Sequence, residues 1–173
     1  MEALAGPVVV VAALLALAGG LKVARPAPTS GALRAMGLPS ARVLVRALGL
    51  GEIIVGVGAG ATFARPLLAL LAAAYLAFAA FVMAALSAKK PLQSCGCFGQ
   101  VDTPPSTVHV GLNLVAAGTA FAAALTGTPA LGDTLAEQPW DAAPFVLLVA
   151  VCVYLCVLVA TVLPLVIGSG PRA

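Results

Sequence analysis

Long apolar runs broken by short polar stretches organise this chain. A bilayer's hydrocarbon is about 30 Å thick, so a spanning helix needs about 20 mostly apolar residues. Five windows of that length occur, from Ala3 to Leu21, Val43 to Phe63, Leu67 to Leu86, Val108 to Leu125 and Ala143 to Ile167. The breaks between them, at Arg25-Pro26-Ala27-Pro28, Arg65-Pro66, Lys89-Lys90-Pro91, Thr103-Pro104-Pro105 and Pro139-Trp140, combine charge, proline or an interfacial aromatic. From Thr29 to Arg46 an interfacial helix is also readable, with Leu33, Met36 and Leu38 interleaved with Arg34 and Arg42. The expected fold is all-α, a polytopic membrane helix bundle of about five transmembrane helices built as a four-helix core plus one. Residues 1–173 are expected to form a single transmembrane domain, because short loops leave no room for a soluble one.

Composition agrees with this pattern. Of 173 residues, 62% are hydrophobic and only 9% charged, too little polar material to coat a water-facing surface. Nine Lys and Arg against six Asp and Glu give a net charge of +3, too few cations for a nucleic-acid patch, so the excess reports orientation instead. Lys22, Arg25, Arg34, Arg42 and Arg46 cluster at the connection between spans one and two, Lys89 and Lys90 follow span three, and Arg172 follows span five. These eight fall on one face and Arg65 alone on the other. Positive-inside bias therefore expects the N-terminus outside and the loop after span three cytoplasmic. Ala16-Leu17-Ala18 has the spacing of a signal cleavage site, but Glu2 and the lack of any preceding Lys or Arg favour a retained span.

The most specific chemical signal lies in that loop, at Ser94-Cys95-Gly96-Cys97-Phe98-Gly99. Two cysteines around one glycine form a redox pair or half of a soft-metal site. A disulfide closed over one intervening residue meets its preferred geometry only with a strained backbone, which Gly96 accommodates. Strain makes the bond easier to reduce, so such a pair suits exchange rather than stapling. Copper(I) or mercury(II) would also suit two thiolates, although one Cys-x-Cys supplies only two ligands. Two unlinked cysteines without chemistry are the bland alternative. Cys152 and Cys156 share a face of span five, too far apart at Cβ for an undistorted disulfide, and read as packing residues or, alternatively, as metal ligands or an electron relay.

Polar groups inside lipid are expensive and so are functional candidates. Glu52, near the middle of span two, requires the bundle interior, protonated or paired with a cation such as Lys22 or Arg46. Gly56 and Gly60 have small-xxx-small spacing, which admits a close neighbour and suggests a central span. His109 opens span four on the side of the thiols, where an imidazole can lower a thiol pKa or accept its proton, or simply occupy a helix end. Asn113, one turn deeper, suits a bond across helices. No phosphate loop, paired carboxylates or Ser/His/Asp arrangement occurs in the chain.

With Cys95-Gly96-Cys97-Phe98-Gly99 between two spans, Asn113-Leu114 after it, and Arg46 and Glu52 upstream in a Gly-rich span, the chain resembles the MauE branch of the MauE/DoxX membrane proteins. The resemblance implies a small helical bundle associated with thiol redox. It implies maturation of the disulfide-rich small subunit of methylamine dehydrogenase, a thioredoxin-like partner, and functional roles for Cys95, Cys97, Glu52 and Asn113. In that family the residue before the Asn is often basic, whereas here it is Leu112. Maturation of a secreted enzyme would also need the thiols outside, against the charge count. A more distant likeness to membrane oxidases of the vitamin K epoxide reductase type implies quinone as electron acceptor, although those proteins use Cys-x-x-Cys. The expected function is thus a thiol–disulfide redox protein of the plasma membrane. A soft-metal transporter and a noncatalytic scaffold for a thioredoxin-like enzyme are the alternatives.

Overall fold

A computed structural model describes residues 4–88, 105–127, 132 and 142–168. Among the described residues the helices are α1 (Ala5–Ala24), α2 (Ala27–Ala35), α3 (Arg42–Thr62), α4 (Arg65–Ser87), α5 (Thr107–Thr126) and α6 (Ala142–Gly168). All but the nine-residue α2 are long and apolar enough to cross a bilayer. The expected all-α bundle of five spans is therefore observed, each span within three residues of its expected ends.

The helices stop where the chain chemistry requires. α3 ends at Phe63, whose left-handed backbone (φ 49°) turns the chain, and Pro66 then opens α4 in the first helical turn, where a missing N–H costs nothing. The interfacial helix is shorter than expected. It ends at Ala35, and Gly37 in the left-handed region (φ 76°) redirects the chain before α3 begins at Arg42.

α1 and α3 pack antiparallel along their length. The buried positions of α3, Val45, Gly49, Glu52, Gly56 and Ala59, step alternately by four and three, the spacing of a coiled-coil seam. A Cβ on Gly49 would lie 2.6 Å from Gly19 O, and one on Gly56 would lie 2.6 Å from Ala12 O. Glycine is thus required at both places for the backbones to approach this closely. Gly60 joins the same seam, where a Cβ would be 3.2 Å from Ala12 Cβ.

The expectation that this Gly-rich span is central is corrected. α1 holds the centre: it packs on α3, α5 and α6, and Tyr75 of α4 donates a hydrogen bond to Val11 O at 2.6 Å. α3 buries only its seam, leaving Val43 and Ile54 75% and 68% exposed. Apolar side chains so exposed belong against lipid, where helices associate through close small-residue packing rather than through the hydrophobic effect. The same core continues where α4 lies on α5, with Leu68, Leu71 and Tyr75 joined by Ala116, Ala120 and Ala123. Arg65, at the start of α4, lies beside Gly127 at the end of α5. A cation there complements the carbonyl end of the helix dipole.

Lys22 requires a correction of the charge count. It is a buried residue of α1, not a loop cation, so the remaining count is seven against one: Arg25, Arg34, Arg42, Arg46, Lys89, Lys90 and Arg172 against Arg65.

Gly56→Val is expected to destabilise the bundle by about 1–3 kcal/mol, the usual cost of overpacking a tight contact, whereas Gly51→Ala, with open space around its Cβ, is expected to cost nothing. Thermal or detergent denaturation midpoints of the two variants measure this, and a Gly56→Val midpoint equal to that of the parent protein would contradict the seam.

Candidate functional site

The α1–α3 seam carries one charge from each helix. Side chains on a helix lean toward its N-terminus. Lys22, near the C-terminal end of α1, therefore leans into the bundle, and Glu52, midway along antiparallel α3, leans back to meet it. Their Nζ and Oε2 atoms are 2.7 Å apart, and both side chains are more than nine-tenths buried. Of the two cations considered for Glu52, Lys22 is the partner, while Arg46 is exposed on α3. The ammonium also lies over the Phe78 ring of α4, 5.0 Å from its centroid, a cation–π contact in a desolvated setting. Phe78 in turn meets Tyr75 edge to face. Glu52 Oε1 is buried without a hydrogen-bond partner among the described residues.

His109 stands in the first turn of α5 and is buried. The helix-end reading gives its position along the chain but not its surroundings. Ser106, at the N-cap, makes no side-chain cap bond to the helix. Its Oγ instead lies 2.9 Å from His109 Nδ1, a hydrogen bond whose direction follows the imidazole tautomer. The other ring nitrogen has no partner among the described residues. Asn113 donates through Nδ2 to His109 O at 2.7 Å. The expected bond across helices is therefore replaced by one within α5, because the carbonyl one turn back lies within reach of the amide.

These groups converge on one cavity of about 110 Å³ between α1, α4, α5 and α6, whose walls include Lys22, Tyr75, Phe78, His109, Asn113 and Cys156. Most of the remaining wall is aliphatic, from residues such as Leu14 and Leu15. The structure thus brings together His109 and Asn113, which the sequence marks as candidates, with Lys22, considered there as a partner for Glu52, Cys156, read there as packing or alternatively as a metal ligand or relay, and Tyr75, which the sequence did not mark. Glu52 reaches this group through Lys22. Cys152 and Cys156 are both free thiols, and Cys156 is the one that lines the cavity. Cys95 and Cys97 lie outside the described residues. The connection that carries them joins Ala88, which caps α4, to Pro105, just before α5, at the end of the bundle where Lys22 and His109 sit. Among the described residues no three His, Cys, Asp or Glu side chains group as metal ligands.

A family model described as methylamine utilisation protein MauE matches residues 2–128. The chain belongs to the MauE family. The match spans α1 to α5 and ends before α6. No curated protein and no solved structure matches the chain. MauE membership and five membrane-length helices together make this a multi-pass membrane protein.

The buried pair gives a testable asymmetry. Removing one partner leaves an uncompensated charge in the bundle, so Lys22→Met or Glu52→Gln alone is expected to cost about 3–5 kcal/mol. The double variant carries no orphaned charge and is expected to recover most of that loss. Denaturation midpoints of the three proteins measure it; additive losses in the double variant would contradict a coupled pair.

Proposed function

We propose that this MauE-family protein is an integral membrane thiol–disulfide redox protein in which Cys95 and Cys97 cycle between dithiol and disulfide. The observation that carries the reading is the Cys95-Gly96-Cys97-Phe98-Gly99 run in a chain of this family. Its chemistry is thiolate attack on a partner's disulfide through a mixed disulfide, which the second thiol resolves. A soluble thioredoxin-like protein is the proposed partner, docking at the connection between α4 and α5. Along the chain, His109 is the first titratable side chain of α5 after the pair, and it is proposed to accept the thiol proton.

The family description points to methylamine utilisation, and disulfide maturation of methylamine dehydrogenase is the pathway proposed for the pair. The plasma membrane is the proposed location. The seven-to-one distribution of basic residues supports a cytoplasmic position for the thiols. A periplasmic maturation role instead requires the first basic connection to face outside. Locating the pair distinguishes the pathway from a general redox role.

Cys95→Ser and Cys97→Ser are each expected to abolish thiol–disulfide exchange with a thioredoxin-like protein by at least a hundredfold, with insertion of the bundle unchanged. A gel-shift assay for the mixed disulfide reads this directly. Exchange retained in both variants would overturn the reading, and stoichiometric copper(I) bound by the parent protein but lost in both variants would assign the pair to metal binding.

A further inference from the structure

The end of the bundle where α1 finishes and α3 begins carries four arginines, Arg25, Arg34, Arg42 and Arg46, and all four are exposed. Among the described residues Glu52 is the only Asp or Glu, and it is paired with Lys22. No carboxylate among the described residues therefore neutralises these guanidinium groups. Arg34 donates from Nε to Ser40 Oγ at 3.5 Å, a contact that leaves its charge uncompensated.

Arg46 shows which anion fits. α3 begins at Arg42, so Arg46 lies one turn, about 6 Å, inside an apolar span. Val43 and Leu50, three positions before it and four after, share its face and are exposed, so that face meets lipid. A helical side chain leans toward the N-terminus of its helix, and the Arg46 guanidinium thus snorkels back toward Arg42 and the headgroup level. A guanidinium left unpaired at that depth is costly, and a phosphate, which it binds bidentately, is the anion a bilayer places there. α2 packs against α3 and carries Arg34 in its last turn, while Arg25 is the C-cap of α1. Ala41, at the N-cap of α3, supplies no side-chain cap, and the first turn holds no acid, so the helix start adds its own partial positive charge.

We propose that this end of the bundle is a docking surface for anionic phospholipid, with Arg42 and Arg46 gripping the headgroup phosphate and Arg25 and Arg34 adding attraction to the charged leaflet. A zwitterionic lipid offers the same phosphate but carries a cation of its own, which the arginines repel, so the surface selects headgroups of net negative charge. Near an anionic surface each basic residue is worth about fivefold in association. The surface is independent of the thiol cycle and neither requires nor tests it.

The test uses the full-length protein reconstituted in phosphatidylcholine vesicles, with spin-labelled phosphatidylglycerol or phosphatidylcholine as probe and the motionally restricted fraction as readout. Phosphatidylglycerol is expected to associate at least fivefold more strongly, and added salt is expected to weaken that preference. Arg42→Gln/Arg46→Gln and Arg25→Gln/Arg34→Gln are each expected to lower the preference at least twofold. Two pairs on different elements guard against a local folding defect. Arg42→Lys/Arg46→Lys, which keeps the charge, is expected to retain most of the preference, and Arg65→Gln, at the opposite end of the bundle, to leave it unchanged. Equal association of the two probes with the parent protein, a preference untouched by both Gln pairs, or an equal loss in Arg65→Gln would overturn the surface. Inorganic phosphate bound by the reconstituted protein, with no preference for phosphatidylglycerol, would also overturn it and assign the arginines to a soluble anion.

Discussion

A lysine and a glutamate 30 positions apart are buried against each other inside a bundle that otherwise offers hydrocarbon, and the arrangement of α1 and α3 follows from that requirement. Neither charge is tolerated alone in lipid, so each is stable only where the other arrives. Their meeting demands antiparallel helices in one register, with Gly49 and Gly56 on α3 and Gly19 on α1 letting the backbones approach. The small residues and the charges therefore act together. The glycines set the distance, and the ion pair selects one register among the sliding alternatives that an Ala- and Gly-rich seam would otherwise permit.

The pair also organises the polar end of the bundle. The Lys22 ammonium touches Phe78 of α4, Tyr75 of α4 reaches back to Val11 of α1, and His109 of α5 closes the same cavity. One ammonium thus links the α1–α3 pair to the α4–α5 pair. The polar groups gather toward the end from which the Cys95–Cys97 connection leaves α4 and enters α5, while Arg65 occupies the opposite end. A membrane bundle with its interior polarity at one end is suited to exchange protons or ligands from that end. Aliphatic packing from Leu68 to Ala123 maintains the other.

The five spans were legible in the sequence because length and hydropathy suffice to identify a helix in lipid, and their ends were marked by Pro66, Phe63 and the charged breaks. The need of Glu52 for a partner was legible for the same reason. Which cation supplied it was not. Lys22 stands close to Arg25-Pro26, so along the chain it reads as a loop charge, and only the antiparallel register shows it turned inward. The centrality of α1 was likewise hidden, since Gly56 and Gly60 signal a close approach without saying which partner has a second face buried. Cys156 reads as packing on a uniformly apolar helix, and its place in a cavity depends on how α6 leans on α1 and α5. Cys95 and Cys97 lie outside the described residues, so their chemistry remains a reading of spacing and of the intervening glycine.

The measurement that bears most directly on the thiol cycle is labelling of Cys95 and Cys97 by a membrane-impermeant maleimide, in intact cells and in inverted vesicles, before and after mild reduction. A Cys152→Ala/Cys156→Ala background removes the two thiols of α6. Labelling is expected in one preparation only, and only after reduction, a result that demonstrates a native reducible disulfide and identifies the side it serves. Full labelling without reduction, unchanged by oxidant or by a thioredoxin-like protein, would contradict a cycling pair.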